Sequence, residues 1–172
     1  LPAHQSSETM IDFLGKRIWD NLFTFSLVRN PWDRTLSFYL WARAKGYFLN
    51  LDFKDFVLEI KKQYDTGTSI FTWHGPYASN SFYLYSKQGE LLVDFVGKYE
   101  NRSEDLDVIR KKINEKSLRS KFSKKNFGNL SINRNNNKKR EEFYNTELIE
   151  IINLIYQDDI KNFGYSSNDF FY

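Results

Sequence analysis

An apolar run that leads directly into an arginine and a helix start is the feature that most constrains this sequence. Residues 23–28 read FTFSLV, Arg29 follows, and Asn30 and Pro31 match the preferred N-cap and first helical position. The apolar run predicts a strand covered on both faces, and Ser37 falls about two turns into the next helix. A strand end, an arginine and the free N–H groups of a new helix would therefore meet at one place, which suits phosphate binding.

Three segments resemble one protein family. FTFSLVRNPWDRTLSFY at 23–39 is similar to the 3′-phosphate-binding element of the carbohydrate-type branch of sulfotransferases that use PAPS (3′-phosphoadenosine 5′-phosphosulfate). VDFVGKYEN at 93–101, and the YNTELI and YQDDIKNFGY stretches within 144–165, resemble later parts of that family. The resemblance implies an α/β fold, three-layered and P-loop-like with a central parallel sheet. It also implies transfer of a sulfuryl group from PAPS to a hydroxyl, with a carbohydrate as the expected acceptor and no metal.

The same resemblance assigns residues to the donor nucleotide. Arg29 and Ser37 would hold the 3′-phosphate, because a guanidinium fork matches a pair of phosphate oxygens and a hydroxyl adds a donor. Asp33 has an expected structural role in which it can orient Arg29. Arg34 is left open between a contact with phosphate and an ion pair with an acid.

Further donor and acceptor contacts are expected outside this run. Lys139 and Arg140 fall where the family has basic residues near the donor. In the family a histidine often stands in the loop where His4 falls, so the resemblance makes His4 the candidate general base for the acceptor hydroxyl; imidazole titrates near neutrality, as this role requires. The alternative is a terminal histidine with no role. His74 falls near a segment that lines the acceptor side in the family, against the alternative of a loop hydrogen bond. Trp73 lies in the same loop and is expected to stack on a ligand, against the alternative of a core tryptophan.

One part of the family pattern is missing from the sequence. The family has a P-K-x-G-T-S-type loop after its first strand, whose lysine and N–H groups hold the 5′-phosphosulfate. Gly67-Thr68-Ser69 lacks that lysine and the preceding strand. We therefore expect a chain that begins after the first strand and donor loop, and that turns over poorly or not at all on its own.

Composition and charge restrict the remaining possibilities. The 172 residues suit a single domain at 1–172, with a basic loop at 114–140. Residues 110–140 contain twelve Lys or Arg and a single acid, so an anion-binding module without enzymatic activity, for nucleic acid or an anionic glycan, is the alternative function. A nucleic-acid partner is the less expected reading, and a P-loop kinase relative is disfavoured because no Gly-Lys-Ser loop occurs.

The sequence also predicts where the protein is located and which segments form helices and strands. The sequence has no cysteine and no apolar run of about 18 residues, so we expect a cytoplasmic protein without a membrane segment. Helical periodicity predicts helices after Ser6 or Ser7, over 31–44, after Asp52, from Ser103 to about 113, and over 146–161. Residues 82–100 are predicted to form two short strands around the turn at 86–89.

Overall fold

The computed structural model describes residues 5–67, 78–116 and 142–168, with only the backbone at Lys116. The chain divides into two compact units. The first is formed by Leu1–Ser6, Arg29–Tyr83 and Lys139–Tyr172, and the second by Ser7–Val28 and Leu84–Lys138. The single domain expected over 1–172 stays a prediction.

The described residues form a mixed helical and strand structure. The helices are α1 Ser7–Leu14, α2 Lys16–Trp19, α3 Pro31–Ala44, α4 Phe53–Thr66, α5 Asn80–Leu84, α6 Arg102–Lys116, α7 Thr146–Ile155 and α8 Gln157–Phe163. The strands are β1 Phe25–Val28 and β2 Phe95–Lys98, and a 3₁₀ turn over Tyr99–Asn101 precedes α6. The expected α/β class is therefore consistent with the structure.

The second unit contains a small parallel sheet. β1 pairs with β2 in the register Phe25 to Phe95 through Val28 to Lys98. Just before both strands, Thr24 donates its backbone N–H and its hydroxyl to the Asp94 carboxylate, at 2.7 and 3.0 Å. Phe25 is 40% exposed and only Val28 of this strand is fully buried. The prediction of a strand covered on both faces was therefore wrong for the first half of β1.

Close packing of α6 on the sheet depends on a glycine. A methyl group on Gly97 would lie 2.7 Å from Leu27 Cδ2 and 2.9 Å from Asp105 Cβ. The absence of a side chain lets α6 approach β2 closely enough for Lys98 N–H to donate to Asp105 Oδ2 at 2.6 Å. Ile109, one turn further along α6, is completely buried.

The first unit is built from α3, α4 and α7 around an aromatic core. Asp52 caps α4 by accepting from Asp55 N–H at 2.8 Å, and Gly67 ends that helix in the left-handed conformation, with φ of 63°. The Phe53 ring contacts Tyr39 and Tyr144 edge-on, at centroid distances of 5.3 and 4.9 Å. Helical spacing predicts that α7 turns one apolar face inward, and the residues of that face are all buried: Leu148, Ile151, Ile152 and Ile155.

Several predicted elements differ in detail. Phe82–Leu84 belong to α5, so the first of the two strands predicted within 82–100 is absent except for an isolated antiparallel bridge between Tyr85 and Leu91. The turn at 86–89 is present, and the second predicted strand is present as β2, which pairs with β1. The predicted helix over 146–161 is two helices that meet at Tyr156. Ser103 lies inside α6 instead of capping it.

The first predicted helix also ends earlier than its apolar pattern suggests. Gly15, with φ of 84°, separates α1 from α2. Helical spacing after Ser7 predicts Phe13 and Ile18 on the inward face of one helix, but both side chains are more than half exposed. The helical periodicity correctly predicted a helix here, but it did not predict which of its side chains are buried.

No helix in the described part of the chain has both the length and the apolar character that crossing a bilayer requires.

Replacing Gly97 with alanine should destabilise the protein by about 1–3 kcal/mol, because the new methyl group overpacks the contact of β2 with Asp105. Urea unfolding followed by circular dichroism measures the change. An unaltered unfolding midpoint would contradict the close approach described above.

Gln63 offers a stabilising substitution. It is 2% exposed on α4, and the described residues supply no hydrogen-bond partner to its amide oxygen or nitrogen. Gln63→Met keeps the shape and removes the buried polar atoms, so the free energy of unfolding should rise by about 1–3 kcal/mol. The exposed Gln88→Met is the matched control and should change stability by less than about 0.5 kcal/mol. A destabilised Gln63→Met would show that the amide is satisfied.

Candidate functional site

The start of α3 is closed by the side chain of Asn30. Asn30 Oδ1 accepts from the backbone N–H groups of Trp32 and Asp33 at 3.1 and 3.2 Å, and the Asn30 carbonyl accepts from Arg34 N–H at 2.8 Å. Pro31, at the first helical position, has no N–H to offer. The expectation of free helix N–H groups is therefore corrected: the first-turn donors are already used, and an anion here must be held by side chains.

Arg29, Asp33 and Ser37 form a cluster along one side of this junction. Arg29 Nε and Nη2 donate to Asp33 Oδ2 at 2.7 and 2.6 Å, and Arg29 Nη1 donates to Ser37 Oγ at 3.0 Å. Asp33 and Ser37 are four residues apart, so α3 presents them one above the other on the same face. The structure thus brings together the two residues assigned to the 3′-phosphate.

The cluster is partly open to solvent. The side chain of Arg29 is 26% exposed and that of Asp33 is 15% exposed. Asp33 lies in the first turn of α3, where the helix dipole stabilises a carboxylate. One oxygen of the Asp33 carboxylate, Oδ2, contacts both Nε and Nη2 of the guanidinium. This contact holds Arg29 in one orientation toward Ser37. The predicted orienting role of Asp33 agrees with this geometry.

Arg34 points to a different partner. Its Nη2 lies 3.6 Å from Asp159 Oδ2, and its guanidinium carbon lies 4.7 Å from the centre of the Tyr156 ring. Asp159 is completely buried, so this is an ion pair with a buried acid, stacked on a buried aromatic ring. Of the two roles left open for Arg34, the structure shows the ion pair; its assignment to phosphate stays a prediction.

Asp159 also organises the start of α5. Its Oδ2 accepts from Asn80 N–H at 2.8 Å and from Asn80 Nδ2 at 3.0 Å, while Oδ1 accepts from Ser81 N–H at 2.7 Å. The Asn80 amide also reaches the carbonyl oxygen of Arg29 at 3.5 Å, the outer limit of hydrogen bonding. Asp159 and Asn80 therefore connect α8 to the residue that carries the site.

Burial raises the pKa of two tyrosines in the same unit. The pKa of Tyr144 is raised well above its ordinary value by burial, and the charge of Asp33 adds to the effect. Its hydroxyl donates to the carbonyl of Trp32 at 2.7 Å. Burial also raises the pKa of Tyr156, although the nearby positive charge of Arg34 opposes the shift.

Five of the predicted site residues lie outside the described residues: His4, Trp73, His74, Lys139 and Arg140. The general base, the acceptor contacts and the additional donor contacts thus stay predictions. Within the described part of the chain, no group of three or more His, Cys, Asp or Glu side chains is placed to hold a metal ion.

Asp159 and Asn80 are the residues that sequence reasoning missed. Asp159 lies within the YQDDIKNFGY stretch, but nothing in the sequence distinguishes it from its neighbour Asp158, which is exposed. The burial pattern of α7 could not predict the burial of Asp159, because α7 ends at Ile155 and Asp159 belongs to a separate helix, α8. Asn80 lies in a polar stretch and carries no sequence signal.

Comparison with known proteins adds independent information. The model of a family described as the sulfotransferase family matches residues 3–166. An uncharacterized protein of Archaeoglobus fulgidus is 31% identical over 103 residues, a match that covers 58% of this chain and 74% of that protein. No solved structure matches the chain significantly.

Alkaline pH should reveal the buried tyrosines. Because the pKa values of Tyr144 and Tyr156 are raised on folding, the unfolded chain loses these protons first, and stability should fall as the pH rises above about 10. Urea unfolding between pH 8 and 11 measures the loss. Tyr144→Phe should show a smaller fall over this range; an identical fall in both proteins would contradict the burial of the Tyr144 hydroxyl.

Proposed function

We propose that this chain, which belongs to the sulfotransferase family, binds the 3′-phosphate of PAPS through Arg29 and Ser37 and serves transfer of a sulfuryl group to a hydroxyl. The observation that carries the proposal is the convergence of the Arg29 guanidinium and the Ser37 hydroxyl, 3.0 Å apart, at the partly exposed start of α3. The proposed acceptor is a carbohydrate, and the proposed complete fold is a three-layer, P-loop-like one.

The chemistry of these side chains fits a phosphate group. A guanidinium binds phosphate oxygens with strong charge-assisted hydrogen bonds, and the serine hydroxyl supplies one more donor. The backbone donors of the first turn are used by Asn30, so the dipole of α3 contributes only through its field. Asp33 lowers the net charge of the cluster and, in return, holds Arg29 in position.

PAPS, when bound, supplies the sulfuryl group that is transferred. The part proposed for the described residues is to bind and orient the nucleotide end of the donor. Holding that end positions the sulfuryl group for transfer, and other residues carry out the chemical step. His4 is proposed to take the proton of the acceptor hydroxyl, and Trp73 and His74 to contact the acceptor. Lys139, Arg140 and Arg34 are proposed as further contacts to the donor.

The proposal has a direct test in nucleotide binding. Isothermal titration calorimetry would compare adenosine 3′,5′-bisphosphate with adenosine 5′-monophosphate, which lacks the 3′-phosphate. The chain should bind the bisphosphate more tightly. Arg29→Ala should weaken that binding roughly 10- to 100-fold, because a charge-assisted contact is lost, and Ser37→Ala about 2- to 10-fold. Neither substitution should change binding of the monophosphate.

Two controls make this result specific. Arg17→Ala removes an exposed arginine of α2 and should leave binding of both nucleotides unchanged. Arg29→Lys keeps the charge but loses the planar fork, so it should recover only part of the affinity. If Arg29→Ala bound the bisphosphate as well as the parent, the assignment would be wrong. Polyanion binding that falls steeply with salt, without any nucleotide preference, would instead favour the alternative anion-binding module.

A further inference from the structure

We infer that Asp159 is a positioning residue for the 3′-phosphate site. It acts through Asn80 on the backbone of Arg29 and through Arg34 on the first turn of α3. This inference rests on the proposed function of Arg29 and Ser37. Asp159 itself is completely buried and would not touch the nucleotide. Its role would be to keep the start of α3 in the one arrangement in which the guanidinium and the hydroxyl converge.

The surroundings of Asp159 require a carboxylate. Its two oxygens accept three N–H groups, from the Asn80 backbone, the Asn80 side chain and the Ser81 backbone, at 2.7 to 3.0 Å. The positive charge of Arg34 lies 3.6 Å away. A carboxylate only accepts hydrogen bonds, whereas an amide would turn an NH₂ group toward one of these donors. The site is thus built for a charged acceptor.

The first connection to the site runs through Asn80. The Asn80 amide is held by Asp159 Oδ2 at 3.0 Å and reaches the Arg29 carbonyl at 3.5 Å. The Arg29 carbonyl belongs to the residue whose side chain binds Asp33 and Ser37. Asn80 therefore contacts the main chain of the residue whose side chain forms the site.

The second connection runs through Arg34 in the first turn of α3. Arg34 N–H makes the first main-chain hydrogen bond of the helix, to Asn30, while its side chain lies between Asp159 and the face of Tyr156. The turn that contains Asp33 is thus attached to α8 by a buried charge. Together the two connections fix the residues on both sides of the Asn30-Pro31 step, and with them the distance between Arg29 and Ser37.

Preorganisation of this kind should appear as selectivity for the 3′-phosphate. The measured quantity is the dissociation constant for adenosine 5′-monophosphate divided by that for adenosine 3′,5′-bisphosphate, determined on the full 172-residue chain. A loss of foldedness alone reduces the competent fraction for both nucleotides and leaves this ratio unchanged. A displaced Arg29 lowers the ratio while binding of the monophosphate persists.

Three variants form the experiment. Asn80→Ala removes the amide that joins Asp159 to Arg29 and keeps the backbone N–H bond to Asp159, so the ratio should fall about 3- to 10-fold. Asp159→Asn disturbs both connections, and its ratio should fall by about tenfold or more. Asp158→Asn changes the exposed neighbour on the same helix turn and should keep the parent ratio. Circular dichroism shows which variants are folded. If Asp159→Asn does not fold, the ratio measured for Asn80→Ala alone tests the inference.

The outcomes separate this inference from the proposed function. A lowered ratio in Asn80→Ala, with Asp158→Asn unchanged, supports the positioning role. If the parent chain prefers the bisphosphate and Arg29→Ala removes that preference, but Asn80→Ala keeps the parent ratio, the inference is overturned and the proposed function stands. Equal weakening of both nucleotides would also overturn it, as a purely structural effect. A parent chain with no preference overturns the proposed function and the inference with it.

Discussion

The hydrogen bonds that close the start of α3 are the interaction on which the rest of the candidate site depends. Four N–H groups at a helix start lack partners within the helix and must be satisfied in some way. Here Pro31 has no N–H to satisfy, and the N–H groups of Trp32 and Asp33 donate to the Asn30 side chain. The next N–H, that of Arg34, makes the first main-chain hydrogen bond of the helix, to the Asn30 carbonyl. A helix start satisfied in this way is stable without a ligand. It therefore leaves recognition of an anion to the neighbouring Arg29 and Ser37.

A second constraint comes from the buried charge of Asp159. An ionised carboxylate with no exposed surface is costly unless hydrogen bonds and an opposite charge compensate it. The three N–H donors of Asn80 and Ser81 and the guanidinium of Arg34 supply this compensation. Such a pair adds little net stability compared with apolar residues of the same volume, but it tolerates few arrangements. Because few arrangements satisfy the Asp159 carboxylate, α5, α8 and the first turn of α3 are held in one relative geometry.

Much of the first unit was predictable because local chemistry specifies it. Asn30-Pro31 and Asp52 mark helix starts that the structure confirms, since capping depends on residues adjacent in sequence. Residues 82–84 were misread as a strand because a short apolar and aromatic run fits either structure. The break at Tyr156 was missed because the residues around it keep a helical pattern, while the ring of Tyr156 packs under Arg34, a residue distant in sequence.

The sequence by itself determined the helix that begins at Pro31, the arginine before it, the serine two turns later and the family to which the chain belongs. These depend on residue type and spacing along one segment. Only the tertiary structure decided that Arg34 pairs with Asp159, that the helix N–H groups are occupied, and that Asn80 reaches the Arg29 carbonyl. Each of these is a contact between side chains or backbone groups brought together by packing, or a choice among competing acceptors. Residue spacing in one chain cannot rank such competitors, because their energies depend on burial and distance.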